Sequence, residues 1–153
     1  MYIGIDLGGT NIAAGLVSEE GKILAQASTP TMNEREAIEI VKDMAMLIDK
    51  LASEYGIDKS EIKGVGIGSP GSIDFDNGVV VYSNNLKMEK FPLAEELNKL
   101  TGLRVSVDND ANCAAMGEYV EYEDKVKNFI FVTLGTGVGS GIIVDGKMLH
   151  GFN

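Results

Sequence analysis

The chain has 153 residues, 44% hydrophobic and 24% charged, the composition and length of one globular domain. Its 23 acidic residues outweigh 13 basic ones for a net charge of −10, and the densest basic spot, Lys125 and Lys127, sits beside Glu121, Glu123 and Asp124. That argues against direct nucleic-acid binding, which needs a basic face for phosphates, but leaves room for a small phosphorylated ligand held by backbone N–H groups.

Residues 2–6, 12–17 and 23–27 predict three short strands joined by tight turns at Gly8-Gly9 and Glu19-Glu20-Gly21, an antiparallel meander. Ile38, Val41, Ala45, Ile48 and Ala52 then fall at helical spacing, widened by Met44, Leu47 and Leu51; Asn33 is the expected cap and Gly56 the expected end. Glu34 and Glu36 suit the first turn. Residues 64–68 predict a buried strand running into Ser69-Pro70-Gly71, followed by a hairpin turning at Asp76-Asn77-Gly78 between residues 73–75 and 79–82. Pro92 opens a second helix that Gly102 closes, and residues 105–108 form a strand. Residues 110–120 form an Ala-rich, tightly packed helix in which Cys113 is expected to be a small buried residue rather than a nucleophile. Strands at 129–134 and 141–144 flank a glycine-rich turn, and Asp145-Gly146 turns the chain toward Met148-Leu149. The order βββ-α-β-hairpin-α-β-α with a second β start belongs to the α/β class. The chain ends directly after a strand, at His150-Gly151-Phe152-Asn153, so the expectation is the N-terminal part of a longer molecule.

No apolar run approaches the roughly 20 residues of a membrane span, and Met1 leads into Tyr2-Ile3-Gly4-Ile5-Asp6 without the layout of a signal peptide. One cysteine permits no intrachain disulfide, which places the chain in a reducing compartment, the cytoplasm.

Two glycine-rich turns carry the chemistry. Asp6-Leu7-Gly8-Gly9-Thr10-Asn11 lies between two strands, whereas P-loops and dinucleotide folds need their glycines to open a helix. Here Gly8 and Gly9 permit positive φ and close approach to a ligand, Thr10 and Asn11 offer polar groups to a phosphate, and Asp6 can reach a Mg²⁺-bound water. The run from Thr133 to Gly141 repeats the device with Gly135, Thr136 and Gly137. Either turn alone fits an ordinary tight turn; the pair points to a nucleotide phosphate clamp.

Asp6 to Thr10, Gly66-Ile67-Gly68-Ser69-Pro70-Gly71, Asp108-Asn109-Asp110-Ala111-Asn112 and Leu134 to Gly141 together resemble the ROK family of sugar kinases and transcriptional repressors, in the right order over essentially the whole chain. The resemblance implies an actin-like ATPase (ribonuclease H-like) fold, with residues 1–118 the small domain and 119–153 the start of a larger one. It implies ATP- and Mg²⁺-dependent phosphorylation of a hexose, glucose at its 6-hydroxyl first, by a dimeric enzyme with sugar and ATP as partners. Asp110 is then the base and Asn109 the sugar-hydroxyl ligand, with Asp108 left as a helix cap. Gly71 borders the sugar pocket, and Asn84 and Asn85 contact the sugar or merely form a turn. Glu118 follows the family's helix pattern, or is an exposed helical charge. A further glutamate and histidine of the sugar site, and a cysteine cluster for structural zinc, are expected outside these 153 residues. His150 is taken as an ordinary polar residue. Two other readings stay open: a sugar-sensing repressor, for which a start at Tyr2 leaves no room for a helix-turn-helix, and a non-catalytic isolated domain.

Overall fold

The computed structural model describes residues 1–122, 125–135 and 137–151. Period-two alternation along Tyr2–Leu7 (β1) and Asn11–Val17 (β2) sends Ile3, Ile5, Leu7, Ile12, Ala14 and Leu16 to one buried face. Ile23–Pro30 (β3) completes the antiparallel meander and runs three residues further than its apolar pattern indicates.

Ala37–Tyr55 (α1) presses Ile40, Val41, Met44, Leu47, Ile48, Leu51 and Ala52 onto that face. Each large side chain so buried contributes about 1.5–3 kcal/mol, enough to outweigh the β-branched residues' weaker helix propensity. Gly56, at φ 76°, ends the helix, and the Ile57 N–H donates to Ala52 O at 3.0 Å. The start differs from expectation. Glu36, not Asn33, precedes the first turn and supplies no side-chain cap. Asn33 and Glu34 are spent on a remote segment instead: Asn33 Nδ2 donates to Asn85 O at 2.7 Å, and Glu34 pairs with Lys87.

After a 3₁₀ turn at Lys59–Glu61, Val65–Ser69 (β4) lies parallel to β1. Ser72–Asp74 (β5), Val79–Ser83 (β6) and Met88–Phe91 (β7) form a small antiparallel sheet of their own. Its first turn is at Asp76-Asn77-Gly78, where the Asp74 carboxylate accepts from Asn77 N–H and Nδ2. Leu93–Thr101 (α2) follows Pro92 and stops at Gly102, φ 72°. Val105–Asn109 (β8) pairs parallel with β4, giving the mixed five-stranded order β3-β2-β1-β4-β8. Helices α1 and α2 cover its Val65/Ile67 face, where the core lies.

Asp110–Val120 (α3) packs on the opposite face. Phe129–Leu134 (β9), Val138–Val144 (β10) and Lys147–Met148 (β11) form a third sheet, order β11-β10-β9, leaning on α3. The approach is close: a Cβ on Gly141 would stand 2.3 Å from the Ala115 Cβ and 2.9 Å from Ala111 O. The pairing of alanine on the helix with glycine on the strand makes this contact possible. The predicted α/β order is observed, and no helix among the described residues is long and apolar enough to cross a membrane.

Candidate active site

The parallel strands β1, β4 and β8 end together. Their register aligns Asp6 with Gly68 and Gly68 with Asp108, and β8 hands over at Asn109 to α3, whose first residue is Asp110. Crevices at the carboxyl ends of parallel strands are where open α/β sheets bind ligands. Here a cleft of about 700 Å³ opens, with Asp6, Asn85, Asn109, Asp110, Gly135 and Gly137 on its wall.

Asn109 is the N-cap of α3: its Oδ1 accepts from the N–H groups of Ala111 (3.0 Å) and Asn112 (3.4 Å). Its Nδ2 donates to Gly71 O at 3.2 Å, which leaves one amide hydrogen for a ligand. Gly71 has φ 112°, and a Cβ there would meet Tyr82 O at 2.2 Å, so only glycine carries the carbonyl to Asn109. Asp110 accepts from the Ala111 N–H at 2.8 Å and faces the cleft.

Asp108 is not a helix cap, because the cap position belongs to the residue next to the helix. Its Oδ1 accepts from Asn109 N–H (2.7 Å) and Asn112 Nδ2 (3.0 Å), and its Oδ2 lies 2.8 Å from His150 Nε2. His150 is therefore no ordinary surface residue: besides Asp108 it stacks on Phe75, ring centroids 3.7 Å apart. Phe75 accordingly sits in the turn after β5 rather than in a strand.

The first glycine turn is closed by the Gly8 N–H donating to Asn11 O at 3.0 Å. Neither Gly8 nor Gly9 has positive φ; space, not handedness, requires them. A Cβ on Gly8 would stand 2.9 Å from Asn11 O, and one on Gly9 3.2 Å from the Asn85 Cβ. Thr31, fully buried, supports the turn from below: its hydroxyl donates to Gly8 O at 2.6 Å and its N–H to Thr10 O at 2.9 Å. The second turn is closed by the Gly135 N–H donating to Gly137 O at 2.9 Å, and nothing lies within 4 Å of a Cβ on either glycine. Thr136 lies outside the described residues.

The predicted residues are thus only partly gathered. Gly9 joins the cleft by abutting Asn85, and Gly71 by its bond to Asn109, whereas Gly8, Thr10 and Asn84 stand off its wall. Asn11 lines a second, larger groove of about 1250 Å³ over the small-residue face of the five-stranded sheet. Cys113 opens onto both hollows instead of being buried. Its sulfur nonetheless rests near Ile67 O, and desolvation, with the charges of Asp108, Asp110 and Asp6 behind it, pushes the thiol up to about 11. A thiol raised in this way favours its protonated form at neutral pH, which argues against a nucleophilic role.

The electrostatics bear on a cation. No Lys or Arg among the described residues lines the cleft. Partial burial, followed by the Asp110 charge, raises the Asp6 carboxyl above its ordinary value although the residue is reachable by solvent. Two carboxylates short of countercharge fit a divalent cation. Among the described residues no group of three or more His, Cys, Asp or Glu could hold a metal, so a cation here would keep most of its waters, the habit of Mg²⁺. Thr31, Phe75 and His150 are the residues the sequence reading missed; being the single histidine was the one signal His150 offered.

Fold and site together define an α/β domain of the actin-like ATPase class, with its ligand cleft at the ends of three parallel strands. The chain belongs to the ROK family, which it matches over residues 2–153. It is 40% identical over 153 residues to a glucokinase of Halalkalibacterium halodurans, a match covering 99% of this chain and 46% of that one. It is 36% identical over 154 residues to an N-acetyl-D-glucosamine kinase of Aliivibrio fischeri, covering 100% of this chain and 49% of that one. Among solved structures, the ROK family glucokinase of Streptomyces griseus in complex with glucose and AMPPNP superposes with a TM-score of 0.87 at 38% identity, over 99% of this chain and 46% of that one. The chain spans about half the length of the relatives it matches.

Proposed function

We propose that this chain forms the catalytic half-site of an ATP-dependent hexose kinase, with glucose as acceptor at its 6-hydroxyl. The observation that carries the reading is the convergence of Asp110, Asn109 and Asp6 in one cleft that the second glycine turn overhangs. Phosphoryl transfer asks a protein for positioning and charge neutralisation more than for covalent chemistry. Asp110 accepts the proton of the sugar hydroxyl as that oxygen bonds to the γ-phosphorus and the bond from phosphorus to the ADP oxygen breaks. It stands at the start of α3, where the helix dipole favours negative charge. Asn109 offers its remaining amide hydrogen to the sugar, with Gly71 bonded to it and Asn85 on the same cleft wall, Asn84 standing further off. Gly9, which abuts Asn85 at the cleft, meets the phosphates from one side, with Gly8, Thr10 and Asn11 completing its turn, and the turn of Gly135, Thr136 and Gly137 meets them from the other. Asp6 would hold Mg²⁺ through water, and the ion would neutralise phosphate charge in a cleft whose charged lining residues, among those described, are the acids Asp6 and Asp110.

We take residues 1–118 as one domain and 119–153 as the beginning of the next, in keeping with a third sheet built only from strands after α3. A dimer in the cytoplasm is the assembly we assign to the enzyme.

The test is ADP release by the 153-residue chain with Mg-ATP, with and without glucose, and with N-acetyl-D-glucosamine as the rival acceptor. Glucose-dependent release that falls by about 10²–10⁴ in Asp110→Asn supports the reading. Release that ignores sugar, or survives Asp110→Asn, overturns the assignment of the base.

A further inference from the structure

We propose that Thr31 is the positioning residue that sets the shape of the first glycine turn, a role distinct from any contact with ligand. Its side chain is fully buried behind the turn, so it touches neither sugar nor nucleotide. It makes two bonds to turn carbonyls two residues apart: its hydroxyl donates to Gly8 O (2.6 Å) and its N–H to Thr10 O (2.9 Å). They belong to the Gly8–Gly9 and Thr10–Asn11 peptides, the two that bracket the turn. With both pinned, those two peptide planes have one orientation, and so do the Gly9 and Asn11 N–H groups on their opposite edges.

Thr31 is itself held. Arg35 Nη2 donates to Thr31 O at 2.8 Å and Arg35 Nε to Met32 O at 3.3 Å, and the same guanidinium pairs with Asp43 on α1. A few residues on, Asn33 and Glu34 fasten the segment to Asn85 and Lys87. The turn is thus anchored to the core helix through one threonine, and residues 31–35 are committed to this anchoring. That commitment explains why α1 starts only at Ala37.

Only a hydroxyl at this position supplies the bond to Gly8 O. Thr31→Val keeps volume, β-branching and the backbone N–H but deletes that donor; Thr31→Ser restores it. On the ¹⁵N-labelled 153-residue chain, Thr31→Val is expected to speed amide exchange of Gly8 roughly tenfold or more while the amides of α1 keep their protection, since an acceptor left unpaired loosens its own turn first. Thr31→Ser is expected to return exchange to within about twofold of the parent. Unchanged exchange at Gly8 in Thr31→Val, or equal acceleration in α1 and the turn, overturns the proposal. Should Thr31→Val not fold, Arg35→Ala loosens the same anchor one bond away and must accelerate Gly8 exchange for the proposal to stand.

The ligand arm rests on the function proposed above. Mg-AMPPNP affinity, titrated calorimetrically, is expected to fall about tenfold in Thr31→Val and to recover in Thr31→Ser, with glucose affinity unmoved. A parent chain that binds no Mg-AMPPNP sinks the nucleotide role of the turn, while the exchange data still decide what Thr31 does. Parent binding that Thr31→Val leaves intact overturns the positioning role.

Discussion

The two glycine turns are alike in sequence and unlike in support. The Gly8–Gly9 turn is braced by the buried Thr31 and abuts Asn85, and beneath it Leu7 and Ile12 are fully buried. In the second turn a Cβ on Gly135 or Gly137 would meet nothing within 4 Å, and the residues at its base, Leu134 and Val138, are 82% and 77% exposed. Only further down, where Gly139 and Gly141 meet Ala111 and Ala115, is its hairpin held. The lesson is that a glycine-rich loop motif specifies what the backbone can do, while the residues behind it decide whether the shape is ready before a ligand arrives. One turn is braced from behind; the other is placed by its hairpin's contact with α3.

The hardest blow to that arrangement is Gly141→Val. Its Cβ would stand 2.3 Å from the Ala115 Cβ, so the hairpin must leave α3, and we expect a loss of about 3 kcal/mol in chemical unfolding. A loss below about 1 kcal/mol would mean that the third sheet is held by something other than this contact. Next comes a matched pair. Gly8→Ala forces a Cβ to 2.9 Å from Asn11 O and is expected to cost about 1–2 kcal/mol, whereas Gly135→Ala meets open space and should stay within about 0.5 kcal/mol of the parent. Equal effects would erase the distinction between the turns.

The mildest change concerns pH. The folded state raises the Asp6 carboxyl above its ordinary value, so the fold binds that proton more tightly than the unfolded chain does. Asp6 therefore favours folding when protonated, and the favour is lost as pH rises from the ordinary carboxylate value through the raised one. Asp6→Asn should accordingly melt slightly higher than the parent at pH 7, with the gap closing near pH 4, while sugar-dependent ADP release drops. A gap that widens on acidification would reverse the sign assigned to the Asp6–Asp110 pair.

Much of this was legible in the residues. Helix ends at Gly56 and Gly102, the hairpin at Asp76-Asn77-Gly78 and the tight packing of the Ala-rich α3 all depend on neighbours in sequence or on side-chain size. The strand Met88–Phe91 was not, because Lys87 and Lys90 flank and interrupt it in left-handed conformations that no apolar alternation announces. The start of α1 was misjudged because Asn33 bonds a carbonyl 52 residues away. Separation in sequence likewise hid Thr31 behind Gly8, 23 residues away, and His150 beside Asp108, 42 residues away. Of the site, the residues on strand ends were visible; the bonds that fix them were not.

The outermost sheet has a practical side. β9 is an edge strand, and Ile130, Val132 and Leu134 stand outward along it at 54–82% exposure. An unpaired, apolar edge is a template for other chains. At neutral pH the net charge of −10 opposes such association. Acidification removes that repulsion while leaving the edge bare, so the chain should be purified and stored well above the carboxylate range, and turbidity on acidification should begin at β9.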